Sequence, residues 1–250
     1  MLDLSTVRIA FLGFGNMAGA MADGWIRSGA VKSEQLGAAS RRWEVLEART
    51  KARGMQAFAT CEEAARWADV VVVAVKPHLV EGVVKPIRHV LKDKLVLSVA
   101  VGKLFDFYES ILEQGTHHLS TLPNTPVSIN EGIVICEARH SLTLDDQAFV
   151  EKLFAKLGLA EFADEKMMSA AGTLAGCGPA FAAMFIEALA DGAVKHGVPR
   201  AAAYALASQM LAGTAKLQLE TGAHPGAMKD AVCSPGGTTI IGVAALERNG

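Results

Sequence analysis

The sequence has few cysteines, few aromatic residues and almost no net charge. Its four cysteines, Cys61, Cys136, Cys177 and Cys233, are widely spaced and include no Cys-x-x-Cys pair. Such spacing argues against a disulfide framework or a zinc site and is typical of reduced thiols in a cytosolic protein. The formal net charge of −2 provides no basic surface, which argues against nucleic acid as the main partner.

Motifs for metal binding and nucleophilic catalysis are also missing. The seven histidines form no His-Glu-x-x-His pattern, and the neighbours His117 and His118 would point to opposite faces of a strand. There is no Gly-x-Ser-x-Gly elbow and no Gly-Lys-Ser/Thr phosphate loop. We therefore predict no metal site, and a hydride transfer in which a cofactor supplies the difficult chemical step.

Long apolar runs are missing too. No stretch reaches the roughly 20 apolar residues of a membrane span. The most apolar helical stretch, residues 179–190, contains Glu187 and is followed by Asp191. The first residues lack the basic and apolar regions of a secretory signal. These features predict a soluble, cytoplasmic protein with no membrane partner.

The stretch 7–18 is typical of a strand, a glycine turn and the start of a helix. Its apolar run ends in Gly-Phe-Gly-Asn-Met-Ala, the Gly-x-Gly-x-x-Ala pattern of dinucleotide-binding turns. Gly13 would make the tight turn, Gly15 would let the backbone approach the pyrophosphate, and Ala18 would let the helix sit close to the strand. The alternative is a glycine turn that only joins strand to helix.

The second predicted strand, residues 35–39, ends at Ser40, Arg41 and Arg42, the place where such folds contact the adenosine ribose. A carboxylate there would favour NAD, whereas a hydroxyl and two guanidinium groups suit a 2′-phosphate. We therefore predict NADP(H) as the preferred cofactor and NAD(H) as the second one. The alternative is that Arg41 and Arg42 only open a solvated helix over residues 43–53.

A β-branched run at residues 69–75 predicts a central strand that ends at Lys76 and Pro77. Pro77 cannot extend a sheet ladder, so the chain leaves the sheet at its carboxyl edge, where ligands of such sheets bind. Lys76 would face the cofactor there or be an ordinary exposed lysine. The predicted cofactor-binding residues are Leu12, Gly13, Phe14, Gly15, Asn16, Met17, Ser40, Arg41, Arg42, Ala74, Val75, Lys76 and Pro77.

The order of the remaining segments indicates the fold class. Apolar runs predict strands at residues 95–102 and 118–122 and a near-edge, antiparallel strand at 132–138. Helical spacing covers residues 144–157, followed by a short segment at 159–162. We predict an α/β protein: a Rossmann-like doubly wound sheet in a dinucleotide-binding domain, residues 1–160, followed by an all-helical dimerisation and substrate domain, residues 161–250.

Two long helices dominate the second half. Pro179 is predicted as a first-turn proline of a helix to Gly197, and Pro199 opens another that stops at Gly222. Both are apolar around most of their circumference, and such a helix needs more than one packing partner. We predict that part of this surface contacts a second subunit, in a homodimer or higher homo-oligomer. The alternative is an alanine-rich monomer core.

Consecutive small and hydroxyl-bearing residues lie just before a final predicted helix at residues 240–247. This stretch, residues 233–239, reads Cys-Ser-Pro-Gly-Gly-Thr-Thr. It can direct several N–H groups and hydroxyls at one small anion, or it can only cap the helix.

This stretch is the last of five motifs that occur in order along the chain. They are the glycine turn at 13–17, Ala74-Val75-Lys76-Pro77, Pro123-Asn124-Thr125-Pro126, Gly178-Pro179-Ala180 and Ser234-Pro235-Gly236-Gly237-Thr238-Thr239. Through these motifs the chain resembles the pyrroline-5-carboxylate reductases, from about residue 7 to residue 250. The resemblance implies reduction of the ring C=N of 1-pyrroline-5-carboxylate to L-proline, in proline biosynthesis, with NADPH or NADH as hydride donor. It also implies a helical domain that interlocks with a partner subunit.

The resemblance implies roles for the last motif. The substrate, a small anionic cyclic imine or L-proline in reverse, would lie between the nicotinamide and this loop. Thr239 would donate to or orient the ring nitrogen, and backbone around Gly236, Gly237 and Thr238 would hold the carboxylate. The implied catalytic residues are Thr239, Thr238 and Ser234, and the implied substrate-binding residues are Gly236, Gly237, Thr238 and Thr239.

Several positions depart from the family pattern. Ser120 stands where the family usually has arginine, Cys177 and Phe181 replace hydroxyl-bearing residues, and Cys61 replaces a polar residue that contacts the cofactor. Two alternatives therefore stay open. One is a related NADP-dependent reductase of another cyclic imine or a small oxo-acid, and the other is a non-catalytic dinucleotide-binding module.

Overall fold

A computed structural model describes residues 2–249 of the chain. Its strands are β1 (Ile9–Leu12), β2 (Leu36–Ala39), β3 (Gln56–Phe58), β4 (Val70–Val73), β5 (Leu95–Ser98), β6 (His117–Pro123), β7 (Gly132–Glu137) and β8 (Gly158–Ala163). Its α-helices are α1 (Asn16–Arg27), α2 (Trp43–Lys51), α3 (Cys61–Trp67), α4 (Val80–Val84), α5 (Arg88–Leu91), α6 (Phe105–Ile111), α7 (Leu144–Phe154), α8 (Glu165–Lys195), α9 (Arg200–Thr221), α10 (Pro225–Ala231) and α11 (Thr238–Arg248).

The strands form one eight-stranded sheet in the order β3-β2-β1-β4-β5-β6-β7-β8. Neighbouring strands pair in parallel except β6 and β7, which are antiparallel. The predicted antiparallel strand near the sheet edge is confirmed. The short segment after α7 is the edge strand β8, which pairs with β7 in parallel register. The doubly wound arrangement follows, because β1 has neighbours from both halves of the strand order.

Strand β4 shows why its sequence is continuously apolar. All four of its valines are fully buried. Val70 and Val72 belong to the core on one face of the sheet, which also contains Trp25, and Val71 and Val73 belong to the core on the other face, which contains Tyr108. Because both faces are covered by helices, no position along the strand tolerates a polar side chain.

Several boundaries differ from those predicted. The strand predicted over residues 69–75 is limited to Val70–Val73, and the helix predicted over 144–157 ends at Phe154. The final helix begins at Thr238, two residues before the predicted start, and the short helix Pro225–Ala231 is an addition to the prediction. Element ends depend on local capping contacts that periodicity does not encode.

The prediction that Pro179 lies in the first turn of a helix is wrong. Pro179 lies in the interior of α8, which begins at Glu165. A proline lacks the N–H that would bond the carbonyl four residues earlier, here that of Ala175. The Asn124 side chain donates to this carbonyl oxygen instead, at 3.0 Å. Since Ala175 is buried and an unpaired buried carbonyl costs about 1–3 kcal/mol, this substitute bond allows the helix to continue.

The length of α8 also corrects the expectation that no segment could span a membrane. Over 31 residues, this helix is long and apolar enough to do so by length and composition, the single such case among the described residues. Merging the stretches on both sides of Pro179 produces this length. A helix that packs against another subunit passes the same criteria, so composition alone does not distinguish the two environments.

By internal contacts the chain divides into Met1–Pro179 and Ala180–Gly250. Within residues 180–249 the buried side chains are three alanines, Ala190, Ala203 and Ala207. Large apolar side chains there are exposed, for example Phe181 at 62% and Met184 at 69%. A segment whose large apolar groups face outward has little core of its own and gains stability by association. The boundary at residue 160 stays a prediction.

We expect Trp25→Phe to lower the free energy of unfolding by about 1–3 kcal/mol. The buried indole Nε1 donates to the Leu153 carbonyl at 3.1 Å, and that carbonyl lies in the last turn of α7, where it has no helical partner. Urea unfolding at fixed protein concentration measures the change.

The matched control is Trp43→Phe, because Trp43 is 43% exposed at the start of α2. Equal losses for the two variants would contradict the role assigned to the indole hydrogen bond.

Candidate active site

Three of the predicted cofactor segments meet at the carboxyl edge of the sheet. The Gly13 N–H donates to the Ala39 carbonyl at 2.8 Å, and the Ala74 N–H donates to the Leu12 carbonyl at 2.8 Å. The ends of β1, β2 and β4 are therefore adjacent. This arrangement brings together the predicted residues of stretches 12–17, 40–42 and 74–77, which lie far apart in sequence.

Glycine is needed at the two positions of the turn for different structural reasons. Gly13 has φ +92°, and a Cβ there would lie 2.8 Å from the Ala74 carbonyl oxygen and 2.7 Å from the Val75 side chain. Only glycine fits this backbone and this space. Gly15 is the N-cap of α1, and a Cβ there would meet no atom within 4 Å. The space over Gly15 and the free N–H groups of the first helical turn suit a pyrophosphate.

A cavity of about 350 Å³ opens beside this turn. Its lining includes Gly15 and Asn16 from the turn, Thr125 and Ser128 from the 3₁₀ turn Thr125–Ile129, and Arg49 from α2. Arg49 Nη1 donates to the Phe14 carbonyl at 3.2 Å, which anchors the guanidinium against the glycine turn. Sequence reasoning missed Arg49 because its position in the last turn of α2 gives no signal of a contact with residue 14.

The residues predicted to select the cofactor lie at the ends of β2 and β4. Ser40 is half-buried, whereas Arg41 and Arg42 are exposed, and Arg42 is the N-cap of α2 without a side-chain capping bond. Lys76 is exposed and precedes the 3₁₀ turn Pro77–Leu79. The two guanidinium groups are thus accessible to an anionic ligand. The role of these residues as ligands stays a prediction.

Several polar side chains beside the edge of β5 and β6 are buried. Ser98 Oγ and Tyr108 Oη are 2.5 Å apart, and burial raises the pKa of Tyr108 to about 12. The Glu137 carboxylate accepts from the Phe105 N–H at 2.9 Å, and burial raises the pKa of this carboxyl despite that bond. Ser120 is also buried and lies opposite Ser98 in the strand register. Being enclosed, these groups are unsuited to exchanging protons with a substrate in solution.

Cys61 lies at the first position of α3, after the capping residue Thr60. Burial raises the pKa of its thiol, which keeps it neutral at ordinary pH. A neutral thiol is only a weak hydrogen-bond donor and acceptor.

The hydroxyl-rich segment lies in the second contact unit. Gly236 has φ +69°, Gly237 is the N-cap of α11, and the Gly237 N–H donates to the Ser234 carbonyl at 3.0 Å. Thr238 and Thr239 occupy the first turn of this helix, so their own N–H groups have no helical acceptor. Both threonines and Ser234 carry hydroxyls that reach the surface of this unit. The segment therefore combines free N–H groups with accessible hydroxyls.

Outside these segments we examined one further groove and the possibility of a metal site. A shallower groove of about 790 Å³ lies along α4 and α5, where side chains of both charge signs alternate. Among residues 2–249, no group of three or more His, Cys, Asp and Glu side chains is placed to hold a metal ion.

Comparison with family models defines the class of protein. The family described as "NADP oxidoreductase coenzyme F420-dependent" matches residues 8–102, and the family described as "Pyrroline-5-carboxylate reductase dimerisation" matches residues 165–250. Together with the sheet topology, these matches define an oxidoreductase with a Rossmann-like nucleotide-binding fold and a helical dimerisation segment. The predicted fold class is confirmed.

Relatives narrow the class to one family. The chain is 40% identical to the pyrroline-5-carboxylate reductase of Treponema pallidum, over 98% of this chain and 94% of the relative. It is also 40% identical to that of Escherichia coli, over 97% and 91% of the two chains. The crystal structure of the Plasmodium falciparum pyrroline carboxylate reductase with NADP bound matches with a TM-score of 0.85 at 30% identity, covering 97% of this chain and 90% of that one. This chain belongs to the pyrroline-5-carboxylate reductase family.

The family assignment confirms the predicted enzyme class, an oxidoreductase with a nicotinamide cofactor. It also supports the predicted self-association, because the dimerisation model covers α8 and α9, whose large apolar side chains are exposed.

We expect Gly15→Ala to weaken NADPH binding by about tenfold or more, which corresponds to about 1.4 kcal/mol. The new methyl group meets no protein atom and so leaves the fold intact, but it occupies the space needed for backbone approach to the pyrophosphate. Fluorescence titration with NADPH gives the dissociation constant, and thermal unfolding checks the fold.

Gly82→Ala is the matched control, because a methyl group added at Gly82 in α4 also meets no atom within 4 Å and lies outside the turn. Unchanged NADPH affinity in Gly15→Ala would contradict the pyrophosphate site.

Proposed function

We propose that this chain reduces the ring C=N of 1-pyrroline-5-carboxylate to L-proline with hydride from NADPH or NADH. The observation that carries the proposal is 40% identity to pyrroline-5-carboxylate reductases over nearly the whole chain. Both the glycine turn and the hydroxyl-rich segment are present within that span. The cofactor supplies the hydride, and the chain's residues bind and orient the two reactants.

In this proposal the hydroxyl-rich segment, residues 234–239, holds the substrate. The free N–H groups of Thr238 and Thr239, which follow Gly237 in the first turn of α11, donate to the substrate carboxylate, as helix N-termini commonly do for anions. The Thr239 hydroxyl donates to the ring nitrogen, which makes the adjacent carbon more electrophilic and fixes the face presented to hydride. Ser234 and Thr238 provide further hydroxyl donors.

The proposed cofactor preference is NADP(H) over NAD(H). It is supported by the hydroxyl and two guanidinium groups at the end of β2, and by the absence of a carboxylate at residues 40–42. The described helices that begin near this edge, α1 and α2, both leave N-terminal N–H groups free.

The proposed assembly is a homodimer or a higher homo-oligomer formed through residues 165–250. Support comes from the dimerisation family model and from the exposed apolar residues of α8 and α9. Burial against a second subunit also accounts for the apolar length of α8 without a membrane. We propose a cytoplasmic location, with neither a membrane nor nucleic acid as partner.

The function is tested by oxidising L-proline with NADP⁺ or NAD⁺ at high pH and by reducing 1-pyrroline-5-carboxylate with NADPH. Both reactions are followed at the nicotinamide absorbance, with pipecolate and 2-hydroxy acids assayed in parallel. A proline-dependent signal is expected. A signal only with pipecolate or a 2-hydroxy acid would indicate a related reductase, and binding of NADPH without turnover would indicate a non-catalytic module.

We expect Thr239→Ala to lower kcat by about 100-fold, the magnitude typical of removing one donor to a developing charge. The NADPH dissociation constant should stay nearly unchanged, since the substitution lies outside the glycine turn. Steady-state kinetics and cofactor titration separate the two effects.

Thr239→Ser is the control, because it keeps the hydroxyl and should retain most of the activity. Equal loss of cofactor binding and turnover in Thr239→Ala would contradict the assignment.

We expect the double variant Arg41→Ala/Arg42→Ala to weaken NADPH binding by about tenfold or more, because charge-assisted hydrogen bonds to the 2′-phosphate are lost. NADH lacks that phosphate, so its affinity should change little. Titration with both cofactors gives the ratio of dissociation constants.

Arg66→Ala serves as the control, since Arg66 is an exposed arginine of α3 that pairs with Glu62. If the double variant weakened NADPH binding and NADH binding equally, the arginines would not be ligands of the 2′-phosphate.

A further inference from the structure

The Asn124 side chain is buried, and both its oxygen and its nitrogen form hydrogen bonds. Its Oδ1 accepts from the Ile133 N–H at 2.8 Å, and its Nδ2 donates to the Ala175 carbonyl at 3.0 Å. Its own backbone N–H donates to the Ile133 carbonyl at 3.1 Å. These partners fix the orientation of the amide, because only the NH₂ end can donate to a carbonyl and only the oxygen can accept from an N–H.

The Ala175 carbonyl needs this partner because of Pro179. A proline four residues further along removes the helical hydrogen bond to this carbonyl, and Ala175 is buried from water. Asn124 therefore supplies the hydrogen bond that the Ala175 carbonyl lacks where Pro179 interrupts the helical pattern of α8. An amide from outside the helix is used where an ordinary residue at 179 would have supplied a backbone N–H.

The same residue adjoins the candidate cofactor site. Asn124 is the N-cap residue of the 3₁₀ turn Thr125–Ile129. Thr125 and Ser128 of this turn line the cavity beside Gly15 and Asn16. One side chain thus connects the wall of that cavity to α8, three residues before the helix passes Gly178 and Pro179.

We propose that Asn124 is a positioning residue for hydride transfer: it holds α8 at Pro179 in register with the turn that lines the cofactor cavity. This inference rests on the proposed function. A misplacement of about 1 Å between reacting groups can cost about 100-fold in rate, so a link of this kind affects turnover without touching the substrate. The interruption at Pro179 makes the link specific, since in an unbroken helix the Ala175 carbonyl would already accept from the N–H of residue 179 and would not depend on the Asn124 amide.

The test is a double-mutant cycle with Asn124→Ala and Pro179→Ala. Asn124→Ala should lower kcat for 1-pyrroline-5-carboxylate by about tenfold or more, with the NADPH dissociation constant changed by less than about twofold. Pro179→Ala restores an N–H that can bond the Ala175 carbonyl. In that background, removal of the Asn124 amide should lower kcat by less than about threefold, because the carbonyl already has a partner.

Asn124→Asp separates the two side-chain bonds. The carboxylate still accepts from the Ile133 N–H but cannot donate to the Ala175 carbonyl. We expect it to lose as much turnover as Asn124→Ala, or more. Retained turnover in Asn124→Asp would show that only the bond to Ile133 matters, which would overturn the proposal.

Asn130→Gly is the matched control for lost stability. Asn130 follows the same 3₁₀ turn with φ +64°, which glycine tolerates, and its Nδ2 donates to the Gly24 and Lys156 carbonyls at 2.7 and 2.6 Å. Asn130→Gly removes two side-chain hydrogen bonds, as Asn124→Ala does, but neither of them involves α8. The melting temperature should fall in both variants, whereas kcat should fall only in Asn124→Ala.

Each outcome has a distinct meaning. Unchanged kcat in Asn124→Ala, or additive losses in the double variant, would overturn the positioning role while leaving the proposed function intact. An unmodified chain that reduces only another imine would contradict the proposed substrate, and the cycle would then be measured with that imine. An unmodified chain with no turnover at all would contradict both proposals.

Discussion

The turn after β1 is the constraint on which the nucleotide-binding half depends. At Gly13 the backbone has positive φ, and a Cβ there would lie 2.8 Å from the Ala74 carbonyl oxygen. This close approach lets the ends of β1 and β4 hydrogen-bond directly, and the bond from Gly13 to Ala39 adds the end of β2. The edge formed in this way fixes the predicted cofactor residues relative to one another. Any side chain at residue 13 would push these strand ends apart.

The second contact unit depends on association rather than on its own core. Within residues 180–249 the buried side chains are alanines, which contribute little apolar area, whereas phenylalanine, methionine and leucine side chains lie exposed on α8 and α9. The dimerisation family model covers this same segment. Folding and assembly of these helices are therefore thermodynamically coupled, and stability should depend on protein concentration. In the proposed assembly the apolar length of α8 has the same origin, because a subunit interface also favours apolar residues on a helix surface.

The chemistry assigned to the family fits the distribution of polar groups. Near the edge of β5 and β6 the titratable groups Tyr108 and Glu137 are enclosed and hydrogen-bonded, and burial raises the pKa of each. They stabilise the local fold but are closed off from a substrate. Accessible hydroxyls lie in the segment that opens α11 and, beside the glycine turn, on Thr125 and Ser128. A reaction in which the cofactor carries the hydride and the protein mainly orients an imine requires no more than this.

Residue patterns alone predicted which three segments meet at the carboxyl edge of the sheet. The glycine turn, the end of β2 and the end of β4 were predicted correctly as neighbours, because the carboxyl ends of parallel strands necessarily share an edge. Arg49 and Asn124 were outside the predicted site. Their contacts span 35 and 51 residues of sequence, and a single sequence holds no signal for pairs at such separations.

The sequence by itself determined the alternation of strands and helices, the doubly wound sheet and the glycine turn, since each follows from the local spacing of apolar residues and from steric limits on the backbone. Only the tertiary structure decided that α8 continues through Pro179. The local rule for proline predicts a helix start there, and it was overridden because an amide from a distant turn satisfies the carbonyl that proline leaves unpaired.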